Sequence, residues 1–196
     1  MNTAAPESLR LFFALWPDSG TRTALMQLQA GMQGRVVPYD NLHLTLIFLG
    51  QQPTALLPAL KNLLMHIPAT TLRLTIDRLG YFPRKRIAWA GMHAVPHTLL
   101  ALHQSVTEGL TRAGVLLREE HDFKPHITLA RDAALPTDMV FTPIAWQADE
   151  FALVQSKTET DGARYSVLAS RSLAGECWTR DAAAGDTAPG ALQRKD

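Results

Sequence analysis

The chain has 196 residues, enough for one domain or two tightly joined lobes. An apolar fraction of 46% supports a real core, and a net charge of +1 excludes a general nucleic-acid binder working through a large basic tract. The single cysteine, Cys177, excludes an intrachain disulfide and fits a reducing compartment, so a cytoplasmic location is expected.

Leu9 to Trp16 reads as a buried strand ended by Pro17-Asp18-Ser19-Gly20. This run is too short for a secretory leader, and no apolar stretch reaches the roughly 20 residues of a membrane span. Asp18 or Ser19 is placed to cap a helix with Leu25, Met26 and Leu28 on its apolar face, stopped by Gly31 and Gly34. Val36 to Asn41 reads as a loop. Leu42 to Leu49 is a strand ended by Gly50, and Thr54 to His66 a helix. Thr71 to Leu79 alternates, with Leu72, Leu74 and Ile76 facing one way, and Gly80-Tyr-Phe-Pro83 is expected to break it. Arg86 to Met92 is another strand, followed by a helix from Pro96 to about Ala113. A charged loop, Arg118 to Asp122, leads into a strand at 125–131, and two further strands are expected near Glu150–Ser156 and Arg164–Ala169. From Arg180 onward the apolar period is lost. The reading is one domain over 1–179 and a disordered tail over 180–196.

Two strands carry the same string: His43-Leu-Thr-Leu and His126-Ile-Thr-Leu. Residues i and i+2 of a strand share a face, so each histidine shares a face with a threonine, Thr45 and Thr128. A lone His-x-Thr is a weak signal, and His103-Gln-Ser105 shows a similar string in a helical pattern, where i and i+2 do not face each other. The context is what separates the two candidates. Each follows a strand and a helix, so the chain looks duplicated, with one motif offered by each lobe to a shared cleft.

Histidine, with an ordinary pKa near 6.5, serves as base or acid at neutral pH. Two imidazoles on opposite sides of a phosphorus can activate water and protonate a leaving alkoxide, while threonine hydroxyls hold the phosphoryl oxygens without a metal. No ligand cluster such as His-Glu-x-x-His appears in the sequence, and no cofactor is expected.

Asn41-Leu-His-Leu-Thr-Leu46 and Pro125-His-Ile-Thr-Leu-Ala-Arg131 resemble the paired motifs of the two-histidine phosphoesterases, above all the RNA 2′,3′-cyclic phosphodiesterase (2′-5′ RNA ligase) branch. The resemblance spans roughly residues 8–172. It implies an α+β fold, a bilobal pseudo-symmetric duplication with two antiparallel sheets around a central groove and helices outside. It implies metal-independent opening of a 2′,3′-cyclic phosphate on an RNA end to a 2′-phosphate, with His43 as proton donor, His126 as proton acceptor, and Thr45 and Thr128 on the phosphate. Arg131 falls where the family often has a basic residue, yet simple alternation from His126 points it to the other face unless the strand ends there. Phe13 and Phe48 are candidates to stack a base, set against the general tendency of aromatics to be core. Arg84-Lys85-Arg86 could steer RNA, set against the usual fate of a short charged turn, which is solvated. The expected partner is an RNA or oligonucleotide with a 2′,3′-cyclic phosphate end, with no membrane, and the expected state a monomer. Competing readings are a 2′-5′ RNA ligase using the reverse reaction and a non-catalytic module that binds RNA ends.

Overall fold

The structure is a computed structural model that describes residues 7–117, 123–136, 140–159 and 162–173. The expected tail, Cys177 and the loop at 118–122 lie outside these residues. In chain order the elements are β1 (Ser8–Leu15), α1 (Ser19–Gln29), β2 (Arg35–Val36), β3 (Leu44–Pro53), α2 (Leu57–His66), β4 (Leu72–Ile76), β5 (Arg78–Phe82), β6 (Ile87–Gly91), α3 (His97–Arg112), β7 (His126–Arg131), β8 (Ile144–Ala148), β9 (Glu150–Glu159) and β10 (Gly162–Ser172).

Local chemistry sets most boundaries. The Asp18 carboxylate accepts from the Thr21 N–H at 2.8 Å and from its hydroxyl at 2.7 Å, which caps α1. Pro96 precedes α3, and Gly114, with φ 72, follows its end, a backbone angle that glycine adopts without strain. Two expected breaks fall elsewhere. Gly50 does not end β3, which continues to Pro53. The break expected at Gly80 occurs at Asp77 instead, where the chain leaves one sheet for another. Gly80 sits inside β5 opposite Trp89, because a Cβ there would come within 2.0 Å of the indole. The segment read as a loop from Val36 begins with the end of β2, and β8 is a strand that the sequence reading did not place.

The larger sheet is antiparallel, in the order β10-β9-β1-β3-β7-β6-β5, with β2 also on β7; β4 and β8 form a second, two-stranded sheet. The order is symmetric about its middle. Outward from the adjacent β3 and β7 come β1 and β6, then β9 and β5. The unit β1–α1–β3 thus corresponds to β6–α3–β7, the duplication read from the sequence. β3 meets β7 at Leu44 and Ile127, and β2 also crosses to β7 through Arg35–Arg131 and Val36–Ala130.

One face of the sheet makes the main core. Leu11, Phe13 and Leu15 of β1, Leu44 and Ile47 of β3, and Ile127 and Leu129 of β7 pack with Leu25 of α1, Leu60 of α2 and Leu99 of α3. Burying each such side chain contributes about 1.5–3 kcal/mol. Because the helices cover this face, the opposite face stays available. On it Phe12, Ala14 and Trp16 form a smaller apolar cluster with Ala152, Val154 and Tyr165.

Candidate active site

The Leu44–Ile127 pair fixes how the two motifs meet. Both residues are buried in the helix-side core, so their neighbours face the other way. Extending the antiparallel register by one residue sets His43 beside Thr128 and Thr45 beside His126. The four side chains form a square, with the histidines on one diagonal and the threonines on the other. Diagonal neighbours of this kind stand about 7–8 Å apart, which leaves room for a tetrahedral group between the rings.

Each ring is oriented in the same way. His43 Nδ1–H donates to the Asn41 carbonyl at 2.7 Å, and His126 Nδ1–H donates to the Lys124 carbonyl at 2.6 Å. Both acceptors lie two residues before their histidine. A neutral ring that donates through Nδ1 carries its lone pair on Nε2. On His43 that atom accepts from the Thr45 hydroxyl at 3.0 Å. Asn41 is itself held by its amide, which donates to the Ala163 carbonyl at 2.8 Å.

After the threonines both strands do something that simple alternation does not anticipate. The pairing of β1 with β3 slips by one at Leu46, and that of β6 with β7 slips by one at Leu129. Each slip is a β-bulge, which turns two successive residues to one side. Leu46 and Ile47 are both buried, as are Leu129 and Ala130. The next residue therefore returns to the histidine face: Phe48 in β3 and Arg131 in β7. This corrects the expectation that Arg131 points away. The Arg131 charge also lowers the proton affinity of both histidines, as expected of a cation facing both rings.

Aromatic rings enclose the histidines. Phe12, Trp16 and Tyr165 lie 4.9, 5.5 and 5.1 Å from the His43 ring, with Trp16 stacked nearly parallel. Phe82 and Trp89 lie 5.0 and 6.1 Å from the His126 ring. Burial holds the His43 pKa at about 4, against an ordinary 6.5; the Asn41 carbonyl opposes the shift and the charges of His126 and Arg131 add to it. Burial lowers His126 as well, opposed by the Lys124 carbonyl and reinforced by Lys85 and Arg131. Lys85, in the turn weighed between steering RNA and simple solvation, supplies part of that charge.

Phe13 is not a stacking candidate. It is fully buried on the helix side, 5.4 Å from Phe151, because Phe12 and not Phe13 shares the face of His43. Phe48 is 64% exposed on the groove face. Among the other histidines, His93 lies 3.2 Å from Asp77 and His103 stacks on Phe123 at 4.0 Å. Among the described residues, no three His, Cys, Asp or Glu side chains converge as a metal-ligand set, and no helix is long and apolar enough to cross a membrane.

The model of the 2′-5′ RNA ligase superfamily matches residues 23–160. The chain belongs to this superfamily. An RNA 2′,3′-cyclic phosphodiesterase of Thermus thermophilus is 37% identical over 190 residues, covering 86% of this chain and 92% of that protein. The crystal structure of apo Escherichia coli LigT superposes with a TM-score of 0.76 at 32% identity, over 86% of this chain and 99% of that one. The same protein complexed with 3′-AMP gives a TM-score of 0.72 at 32% identity, over 85% and 98%.

Proposed function

We propose that this member of the superfamily is an RNA 2′,3′-cyclic phosphodiesterase that opens the cyclic phosphate to a 2′-phosphate. The observation that carries the reading is the square of His43, Thr45, His126 and Thr128, with both rings oriented by the carbonyl two residues earlier. The activity of the Thermus thermophilus relative and the 3′-AMP complex of LigT are consistent with it.

The chemistry follows from the diagonal. A cyclic phosphate seated between the rings is held by the Thr45 and Thr128 hydroxyls and by Arg131. His126 Nε2 takes a proton from water as its oxygen bonds to phosphorus. The P–O3′ bond breaks on the opposite side, and His43 Nε2–H protonates the departing O3′. One proton enters at His126 and one leaves from His43, and exchange with solvent resets the pair. A 5′-hydroxyl in place of water would give a 2′-5′ linkage through the same atoms.

His43 must carry a proton to act as the acid, yet the free groove holds its pKa at about 4. The substrate supplies what is missing. Its phosphate is an anion placed beside the ring, and an opposite charge at that range favours the protonated form. No metal is required, since acid, base and phosphate donors are all side chains.

The test supplies an oligonucleotide ending in a 2′,3′-cyclic phosphate, with EDTA present, and reads the product by phosphorus NMR. A 2′-phosphate is expected. A 3′-phosphate would reverse the roles of the two oxygens, and loss of turnover restored only by Zn²⁺ or Mn²⁺ would replace the mechanism.

A further inference from the structure

We propose that the open cleft beyond Phe48, bounded by Arg10, Gln51, Ser156 and Lys157, is a subsite for an RNA backbone phosphate on the 5′ side of the terminal nucleoside. The groove would then take an RNA chain in preference to a free mononucleotide. The proposal rests on the catalytic reading above, which fixes where the rest of the substrate lies. If His43 protonates O3′, the departing ribose stands on the His43 side of phosphorus. The nucleoside, and all of the chain 5′ of it, then extends over β1 and β3, away from Arg131.

Cross-strand pairs map that surface. Ala14 pairs with Thr45, Phe12 with Phe48 and Arg10 with Gln51, three successive steps on the histidine face. The next strand contributes Val154 beside Phe12, and one step further along the same register lies Ser156. Outward from the catalytic threonine, a substrate meets first the exposed ring of Phe48 and then the guanidinium of Arg10. An exposed aromatic face suits a base of any identity, and a cation beyond it suits the backbone. Arg10 stands four residues from Ala14, roughly 13 Å at the ordinary strand rise, a separation that a chain of more than one nucleotide spans.

The cleft at this point has a volume of about 470 Å³. Its lining carries two cations, Arg10 and Lys157, and one carboxylate, Glu159, which lies 3.6 Å from Arg164. Among the described residues, no carboxylate is paired with Arg10. The Ser8 hydroxyl donates to Gln51 Oε1 at 3.2 Å, which leaves the Gln51 amide N–H groups to serve as donors to a phosphate.

The experiment compares adenosine 2′,3′-cyclic phosphate with a trinucleotide ending in the same group. The parent should favour the trinucleotide in kcat/KM. Arg10→Gln should lower kcat/KM for the trinucleotide about tenfold and leave the mononucleotide unchanged. The salt dependence for the trinucleotide should weaken by about 0.7 in log–log slope, one single-strand phosphate contact. Equal loss on both substrates, or no loss on either, overturns the subsite. If the parent turns over neither substrate, the catalytic reading has failed. The subsite is then decided by binding of a fluorescent 3′-phosphorylated trinucleotide: weaker binding by Arg10→Gln supports it, and equal binding overturns it.

Discussion

His43 is the residue at which folding and chemistry pull against each other. Its enclosure by Phe12, Trp16 and Tyr165 suits a neutral ring, and the proposed role requires a charged one. A base whose folded pKa lies below its unfolded value binds fewer protons when folded, so its contribution to stability is complete above pH 6.5. Acidification withdraws that contribution as the pH falls from 6.5 toward about 4. At about 1.4 kcal/mol per pKa unit, the loss reaches roughly 3 kcal/mol. Urea denaturation across this window should show the parent losing more stability than His43→Gln; identical slopes would remove the burial argument. In turnover, His43→Ala and His126→Ala should each cost ~10²–10⁴-fold in kcat, since proton transfer belongs to the transition state. Thr45→Ala and Thr128→Ala should cost roughly 0.5–3 kcal/mol, the range for one hydrogen bond. Single-turnover kinetics separates the two classes. At this scale the sequence is informative where a string repeats, which singles out both histidines and both threonines. It could not separate Phe12 from Phe13, because either parity of a uniformly apolar strand looks the same until the partner strands are placed.

The bulges after Thr45 and Thr128 govern the elements. Each turns two adjacent residues inward and brings the sixth residue of its motif back over the groove. In sequence, Leu46-Ile47 and Leu129-Ala130 read as an uninterrupted apolar run, and nothing in it announces a slipped register. That is why Arg131 looked misdirected. Gly80 misled in the opposite sense. It reads as a strand breaker, yet β5 continues through it because Trp89 lies flat across the missing side chain. Gly80→Ala should displace Trp89, which lies 6.1 Å from the His126 ring. Overpacking of this kind typically costs about 1–3 kcal/mol. The variant should melt earlier, and the basic group seen in its kcat/KM profile should shift in pH. A lower melting temperature with an unchanged profile would leave Trp89 a packing residue only. β8 carries little signal of its own, because Trp146 and Ala148 are buried against β4, far away in the chain.

On the scale of the whole molecule, the duplication was legible as an order of elements and not as residue identity, since packing constrains periodicity more than it constrains particular side chains. The joined halves present Arg131 to both rings and Lys85 to that of His126, and the rings are neutral when the groove is empty. Anion binding should therefore take up a proton. Calorimetry of 3′-AMP binding at pH 7, in buffers of different ionisation enthalpy, should show uptake of up to one proton, abolished in the His43→Gln, His126→Gln double variant. Uptake that persists in the double variant would place the titrating group elsewhere.

The two halves differ in how the chain assembles them. β6, α3 and β7 follow one another directly, whereas β1 lies between β3 and β9, so its half is completed from both ends of the described chain. As the protein leaves the ribosome, the half bearing His126 can close on local contacts, while β1 must wait for β9. Until then Phe12, Ala14 and Trp16 lack Ala152 and Val154, their cover on the groove side. Long-range pairing of this kind is slow and exposes apolar surface to aggregation. A nascent chain stalled before residue 150 should accordingly be protease-sensitive and sticky within residues 8–16, and the ring of aromatics around His43 closes only when β10 brings Tyr165.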